Sequence, residues 1–173
     1  MPGGRRSRGS RVTVTISGQS FRLRTRPASD WINGCLSDDM SGLFPGLVRD
    51  ADVERLLDLW PQLPDMQVRC LRVSRAALGR ASGREWHRAA NLIHECAGGW
   101  PFINGQLVRE GVRADEERLD DWLDAAYTMI RDGMDTKARD AFEARLDMVP
   151  KNARDTFTPR MSGRDDLLTF MRI

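Results

Sequence analysis

Lysine is almost missing from this sequence, since Lys137 and Lys151 are the only lysines among its 27 lysines and arginines. GC-rich codons specify arginine more often than lysine, so the bias indicates a GC-rich genome before it indicates a function. The positions of the arginines along the chain therefore say more about function than their number does.

Long apolar runs are missing as well. No stretch approaches the roughly 20 apolar residues that a membrane-spanning helix needs. The segment Met1–Arg6 has positive charges with no apolar stretch behind them, which argues against a secretory signal. We therefore expect a cytoplasmic protein that makes no contact with a membrane.

Cysteines are few, and their number is odd. Cys35, Cys70 and Cys96 are widely separated and embedded in apolar patterns. This arrangement argues against a disulfide framework and against a CxxC metal site. We expect all three to be reduced and to pack as small hydrophobic residues.

Residue types that carry catalysis are also scarce, because the only histidines are His87 and His94. They lie seven positions apart on one predicted helix, on the polar face with Asn91, whereas a helical zinc site uses histidines four apart. We therefore prefer solvated histidines to metal ligands. The sequence contains no GxSxG, P-loop or dinucleotide-binding motif. We expect a protein that is not an enzyme and uses no metal or other cofactor.

Positive charge is concentrated at the start of the chain. Residues 1–11 hold four arginines and no acid, which leaves the rest of the chain with a net charge of +2 − 4 = −2. Glycine and serine without hydrophobic periodicity predict that residues 1–10 form a flexible basic arm. Such an arm either keeps the protein soluble or lies along nucleic-acid phosphates; an acidic body makes nucleic acid the less favoured partner. The candidate nucleic-acid residues are Arg5, Arg6, Arg8 and Arg11.

Two short stretches have the alternation of half-buried strands. Val12, Val14 and Ile16 alternate with threonines, and Phe21 and Leu23 alternate with arginines. The four residues between the stretches include a glycine, as a tight hairpin turn requires. An isolated hairpin is marginal in water, so its apolar face either packs on helices or meets a partner. In the second case Phe21 and Leu23 are protein-binding residues.

Helical periodicity dominates the chain from there to residue 149. Val53, Leu56, Leu57 and Trp60 illustrate it, with apolar residues at i, i+3, i+4 and i+7. The predicted helices run from Ser29 or Asp30 to Leu36, from about Asp50 to Trp60, Asp65 to Leu78, Arg84 to Ala97, Asp115 to Asp132 and Asp135 to Leu146, with a loop over 42–46 and a short helix within 100–111. The predicted fold is mainly α, a helical bundle with an N-terminal β-hairpin.

The predicted organisation has three parts: the basic arm 1–10, a single globular domain over 11–149, and a linker with a C-terminal interaction peptide over 150–173. Polar residues, two prolines and a glycine predict the linker over 150–163. The apolar residues after it either insert into a partner's groove as a short helix or fold back on the protein's own core. These candidate protein-binding residues are Leu167, Leu168, Phe170, Met171 and Ile173.

The order of elements resembles that of the tail assembly chaperones of long-tailed, siphovirus-type phages that infect actinobacteria. The similarity covers roughly residues 11–149 and contains no catalytic or ligand motif. It is carried by the hairpin Val12–Leu23, the phrases Ser29-Asp30-Trp31, Leu43-Phe44-Pro45-Gly46-Leu47 and Gly83-Arg84-Glu85-Trp86, and the helix pair Leu119–Ile130 and Asp135–Leu146.

This resemblance implies a helper in the host cytoplasm that binds the tape-measure protein and the tail-tube protein during tail assembly and is absent from the finished particle. A homo-oligomer is a further expected contact. Two alternatives stay open at this point. One is a structural component of the particle, such as a neck or tail connector or a minor tail protein, and the other is an arginine-armed DNA-binding regulator.

Overall fold

The computed structural model describes residues 13–24, 26–37, 40–63 and 65–149. Within these ranges an antiparallel hairpin precedes eight α-helices, which confirms the predicted mainly α fold with an N-terminal β-hairpin. The strands are β1 (Thr13–Ile16) and β2 (Gln19–Arg22), and the helices are α1 (Ala28–Leu36), α2 (Leu43–Leu47), α3 (Asp50–Leu59), α4 (Met66–Ser82), α5 (Trp86–Gly98), α6 (Trp100–Arg109), α7 (Leu119–Asp132) and α8 (Thr136–Leu146). Short 3-10 turns at Met40–Gly42 and Trp60–Gln62 precede α2 and follow α3.

The hairpin turn has the geometry that a two-residue connection needs. Ser17 and Gly18 both have positive φ, 49° and 77°. Positive φ at both central residues is the type I′ arrangement, whose twist matches that of the two strands. Gly18 adopts this conformation without a steric cost. The predicted turn is therefore confirmed.

The core lies where α4, α5 and α7 pack against one another. Leu78, Leu92, Ile93 and Trp122 are fully buried there. The ring of Trp122 lies 5.7 Å from that of Trp100, at the start of α6. Each large apolar side chain contributes about 1.5–3 kcal/mol when buried, so this central packing stabilises the fold and positions the peripheral elements.

The loop predicted over 42–46 is helical in the structure. The 3-10 turn Met40–Gly42 leads directly into α2, although α2 contains a proline and a glycine. Leu43, Phe44 and Leu47 are buried, and the Phe44 N–H donates to Ser74 Oγ at 2.8 Å. Tertiary packing against α4 therefore overrides the weak local helix propensity.

Two helix ends also differ from the prediction. Helix α4 continues to Ser82 instead of breaking after Leu78, and it ends where Gly83 takes a positive φ of 64°. Helix α7 begins at Leu119 and not at Asp115.

The segment just before α7 is not helical, and its carbonyls contact the start of α1. The carbonyls of Ala114 and Glu117 accept from the N–H groups of Ser29 and Ala28, at 2.8 and 2.9 Å. These carbonyls cap the first turn of α1, which has no side-chain cap. Helix α1 therefore begins at Ala28, before the predicted start at Ser29 or Asp30.

Helix α8 begins as the sequence predicts, because Asp135 Oδ1 accepts the Ala138 N–H at 2.8 Å. Phe142 and Leu146 are its two buried side chains. The cysteines are also as predicted: all three are reduced and buried, and burial raises the pKa of the Cys35 and Cys96 thiols to about 12.

Candidate protein-binding surface

On each strand of the hairpin, the N–H and C=O groups of every second residue point away from the other strand. The register pairs Ile16 with Gln19 next to the turn and Thr15 with Ser20 after it. In an antiparallel pair, hydrogen-bonded and non-hydrogen-bonded pairs alternate away from the turn. The N–H and C=O groups of Thr13 and Thr15 therefore point away from β2, and those of Ser20 and Arg22 point away from β1.

The outer edge of β2 is covered by the chain that connects α2 to α3. The Arg22 N–H donates to Asp52 Oδ2 at 3.0 Å, and the Arg22 carbonyl accepts the Arg49 N–H at 3.1 Å. The Arg55 guanidinium donates to the Ser20 carbonyl at 3.0 Å. These contacts occupy both outward groups of Arg22 and the carbonyl of Ser20, so three of the four outward groups of β2 already have partners and another strand cannot pair along this edge without displacing them.

The outer edge of β1 is different. Among the described residues, no hydrogen bond occupies the outward N–H and C=O groups of Thr13 and Thr15. Both side chains are exposed. A strand edge with free backbone groups pairs readily with an extended segment of another chain. We define this edge, the outward backbone of Thr13 and Thr15, as the β1 edge.

A basic pocket lies on the outer face of the hairpin beside this edge. It has a volume of about 420 Å³ and is lined by Thr13, Ser20, Arg22, Arg49, Ala51, Asp52 and Arg55. Three arginines and one aspartate give the lining a charge of +3 − 1 = +2. We call these seven residues the basic pocket.

Asp52 organises the basic pocket. Its carboxylate accepts the Arg22 N–H and also pairs with the Arg55 side chain. The Arg22 N–H, followed by the Arg55 guanidinium, holds the pKa of the Asp52 carboxyl below its ordinary value of 3.8, although partial desolvation acts in the opposite direction. The guanidinium of Arg55 also lies 5.4 Å from the centre of the Phe21 ring, an attractive cation–π distance.

Phe21 and Leu23 belong to the core. Phe21 is 0% exposed and contacts Phe44 edge to face at 6.2 Å, and Leu23 is 7% exposed. The sequence leaves open whether the hairpin's apolar face packs on helices or meets a partner. The structure shows that it packs on helices, which corrects the assignment of Phe21 and Leu23 as protein-binding residues. Any partner contact of the hairpin falls to its backbone edge and its polar face.

The remaining predicted protein-binding residues, Leu167, Leu168, Phe170, Met171 and Ile173, lie outside the described residues. The nucleic-acid candidates Arg5, Arg6, Arg8 and Arg11 lie outside them too. The predicted arm 1–10 and the segment 150–173 therefore stay predictions.

The two histidines lie on α5, where the sequence places them. His94 is exposed, and His87 is half-buried with its ring 5.8 Å from that of Trp86. Asn91 between them has a structural role: its Nδ2 donates to the carbonyls of Arg145, Leu146 and Met148. Over the described ranges, no group of three histidines, cysteines or acids is arranged to hold a metal ion.

Among the described residues, five large apolar side chains are exposed, and they lie on three parts of the chain. Phe102 on α6 is the most exposed, at 71%. The others lie at the end of α1, on α6 and after α8: Leu36, Val108, Met148 and Val149.

The functional residues that sequence reasoning missed are Arg22, Arg49, Asp52 and Arg55. They lie up to 33 positions apart, and neither a motif nor a period links them. One signal is present: Arg22 follows the strand alternation that predicts an outward side chain. Nothing in the sequence predicts that the start of α3 lies beside it.

Comparison of the chain with known protein families, with curated proteins and with solved structures found no match. A search of the described helices for a segment long and apolar enough to cross a membrane found none.

Proposed function

We propose that this protein is a non-catalytic binding protein that pairs the β1 edge with an extended segment of another protein. The observation that carries this proposal is the asymmetry of the hairpin: three of the four outward groups of β2 have partners, whereas within the described residues those of Thr13 and Thr15 have none. Backbone hydrogen bonds supply affinity in strand addition, and neighbouring side chains supply selectivity.

The particular role that we propose is that of a phage tail assembly chaperone. The resemblance in element order supports this role, and a free strand edge suits a helper that holds a long partner chain transiently. In this role the protein binds the tape-measure protein and tail-tube subunits and leaves the assembled tail.

Proline substitution at Thr15 tests the mode of binding. The Thr15 N–H points away from β2, so Thr15→Pro removes an outward donor without removing a hairpin hydrogen bond. Thr15→Ala is the matched control, since it shortens the side chain and keeps the N–H. Both variants are co-expressed with the tape-measure protein of a siphovirus-type phage of actinobacteria, and its recovery on the affinity-purified chain is measured.

We expect Thr15→Ala to recover as much tape-measure protein as the wild type, and Thr15→Pro to recover at least about tenfold less. Both variants should keep the wild-type melting temperature. Equal recovery by Thr15→Pro would overturn binding through the β1 edge. No recovery by the wild type would overturn the proposed partner.

Mass spectrometry of purified particles separates the proposed chaperone from a structural component. A chaperone is absent from the particles, whereas a neck or tail connector or a minor tail protein is present at a constant ratio to the tail-tube subunit. Stoichiometric presence would therefore replace the chaperone proposal with the structural one.

A further inference from the structure

The basic pocket holds more positive charge than its own acid neutralises. Asp52 already accepts the Arg22 N–H and pairs with Arg55. The neighbouring Arg24 pairs with Asp50, and Arg26 pairs with Asp30 at 3.2 Å. The Arg22 guanidinium is attracted to Asp52 at longer range, but within the described part of the chain neither Arg22 nor Arg49 forms an ion pair of its own. Both guanidinium groups can therefore pair with an outside anion.

The guanidinium group of Arg22 lies within reach of a segment that pairs with β1. Thr13 lies directly opposite Arg22 in the hairpin, and both line the basic pocket. Adjacent strands are about 4.8 Å apart, so a residue opposite Thr13 on an added strand lies roughly 10 Å from the Arg22 backbone. A glutamate and an arginine side chain together span that distance across the hairpin's outer face.

We propose that the basic pocket binds a carboxylate, carried by an aspartate or glutamate of the segment that pairs with the β1 edge. This inference rests on the proposed function and specifies the partner as an extended segment with an acidic residue on its outer face. Arginine and carboxylate form paired, directional hydrogen bonds, and such pairs at the rim of an interface supply selectivity and association rate more than affinity.

The local charges favour a carboxylate over a nucleic-acid backbone. Asp50 is almost fully exposed, with 91% of its side chain accessible, and it precedes Asp52 by two residues in the first turn of α3. In the basic pocket a single carboxylate meets Arg22 and Arg49 beside Asp52, whose own charge is paired with Arg55. A row of phosphates requires a continuous run of basic contacts, and Asp50 and Asp52 interrupt such a run here.

The charges also disfavour a second copy of this chain on the same edge. Pairing β1 with β1 about a twofold axis brings two basic pockets, each with a lining charge of +2, close to one another. Like charges placed together across an interface are unfavourable. A foreign acidic segment neutralises the pocket instead.

The test uses the full chain and a pair of labelled peptides, each about seven residues of alternating valine and threonine, capped at both ends. One peptide carries a central glutamate and its twin carries glutamine. Fluorescence anisotropy measures Kd for wild type, for Arg22→Gln/Arg49→Gln, and for Arg80→Gln/Arg109→Gln. The last pair removes the same charge from exposed sites on α4 and α6.

We expect the wild type to bind the glutamate peptide at least about fivefold more tightly than the glutamine peptide, with the difference falling as salt rises. Arg22→Gln/Arg49→Gln abolishes the difference, and Arg80→Gln/Arg109→Gln keeps it. Thr15→Pro binds neither peptide, and Thr13→Pro replaces it if that variant does not fold.

Each contrary result has a separate meaning. Equal binding of the two peptides by the wild type overturns the carboxylate proposal and leaves strand addition standing. Failure of both peptides to bind overturns strand addition as well. A single-stranded oligonucleotide that displaces the glutamate peptide through Arg22 and Arg49 favours a phosphate ligand, and a dimer that Thr15→Pro dissociates favours a second copy; either result overturns the proposal.

Discussion

The hairpin and helix α8 both lie at the margin of the core, where a few apolar side chains and several arginine contacts hold them. They differ in how many of their backbone hydrogen-bonding groups have partners. Ile16, Phe21 and Leu23 anchor the hairpin, and Phe142 and Leu146 anchor α8. For the hairpin, the polar contacts cover only the β2 edge.

Helix α8 has its ends satisfied from within the protein. Asp135 caps its first turn, and Asn91 donates to three carbonyls at its end. Arg88 donates to Glu143 at 2.7 Å and also pairs with Asp147, and the Tyr127 hydroxyl donates to Glu143. Both ends of α8 therefore have partners within the protein, whereas among the described residues the outward backbone groups of Thr13 and Thr15 in the hairpin have none.

Removing the aromatic anchors should give the largest effects. Phe21→Ala and Phe142→Ala each delete a fully buried ring, and we expect each to lower the free energy of unfolding by about 3–5 kcal/mol. Chemical denaturation measures this loss, with Phe21→Leu and Phe142→Leu as milder controls. At a temperature where both alanine variants are folded, only Phe21→Ala should weaken recovery of the tape-measure protein. Equal loss of recovery by both would remove the functional distinction between hairpin and α8.

Asn91→Ala should have the next largest effect, and only on α8. The variant leaves three carbonyls at the end of α8 without their donor, which costs about 1–2 kcal/mol. Hydrogen exchange should show faster exchange in α8 and unchanged protection in the hairpin. His94→Ala, an exposed site on the same helix, is the control and should change stability by less than about 0.5 kcal/mol. A loss of stability of similar size in His94→Ala would show that the Asn91 hydrogen bonds do not hold the end of α8.

Acid should weaken both elements through carboxylates with lowered pKa values. The Tyr127 hydroxyl, followed by Arg88, lowers the pKa of Glu143, as the Arg22 N–H lowers that of Asp52. A carboxyl group with a lowered folded-state pKa stabilises the fold above its ordinary pKa, and this contribution is lost as pH falls through the lowered value.

Asp52→Asn and Glu143→Gln should therefore lower the melting temperature at neutral pH and converge on the wild type as pH falls through the lowered pKa values. The measurement is the melting temperature between pH 2 and pH 7. A difference from wild type that grows as pH falls would contradict the assigned role of these carboxylates.

Phe102→Ser should have the smallest effect. Its side chain is 71% exposed on α6, so we expect a change in the free energy of unfolding within about 0.5 kcal/mol. Recovery of the tape-measure protein should also be unchanged, because we assign partner binding to the β1 edge. A lower recovery with unchanged stability would move the binding surface from the hairpin to α6.

The helices with strong apolar periodicity could be predicted from the sequence, because burial of one face decides where they lie. Helices α3, α5 and α8 lie close to their predicted ranges, and the Asp135 cap is local chemistry. Helix α2 could not be predicted, since Pro45 and Gly46 favour a loop and only packing around Phe44 favours a helix. The start of α7 depends on carbonyls that cap α1, a contact that spans more than 80 positions.

By itself, the sequence determined a mainly α fold with one hairpin, because hydrophobic period and turn chemistry act between near neighbours. Only the tertiary structure decided that Phe21 and Leu23 face inward and that Arg22, Arg49 and Arg55 surround Asp52. It also decided that, within the described residues, the β2 edge has hydrogen-bond partners and the β1 edge has none. The physical reason is that these outcomes depend on the antiparallel contact between Leu23 and Val48. That contact brings the start of α3 beside the hairpin, and no local pattern specifies it.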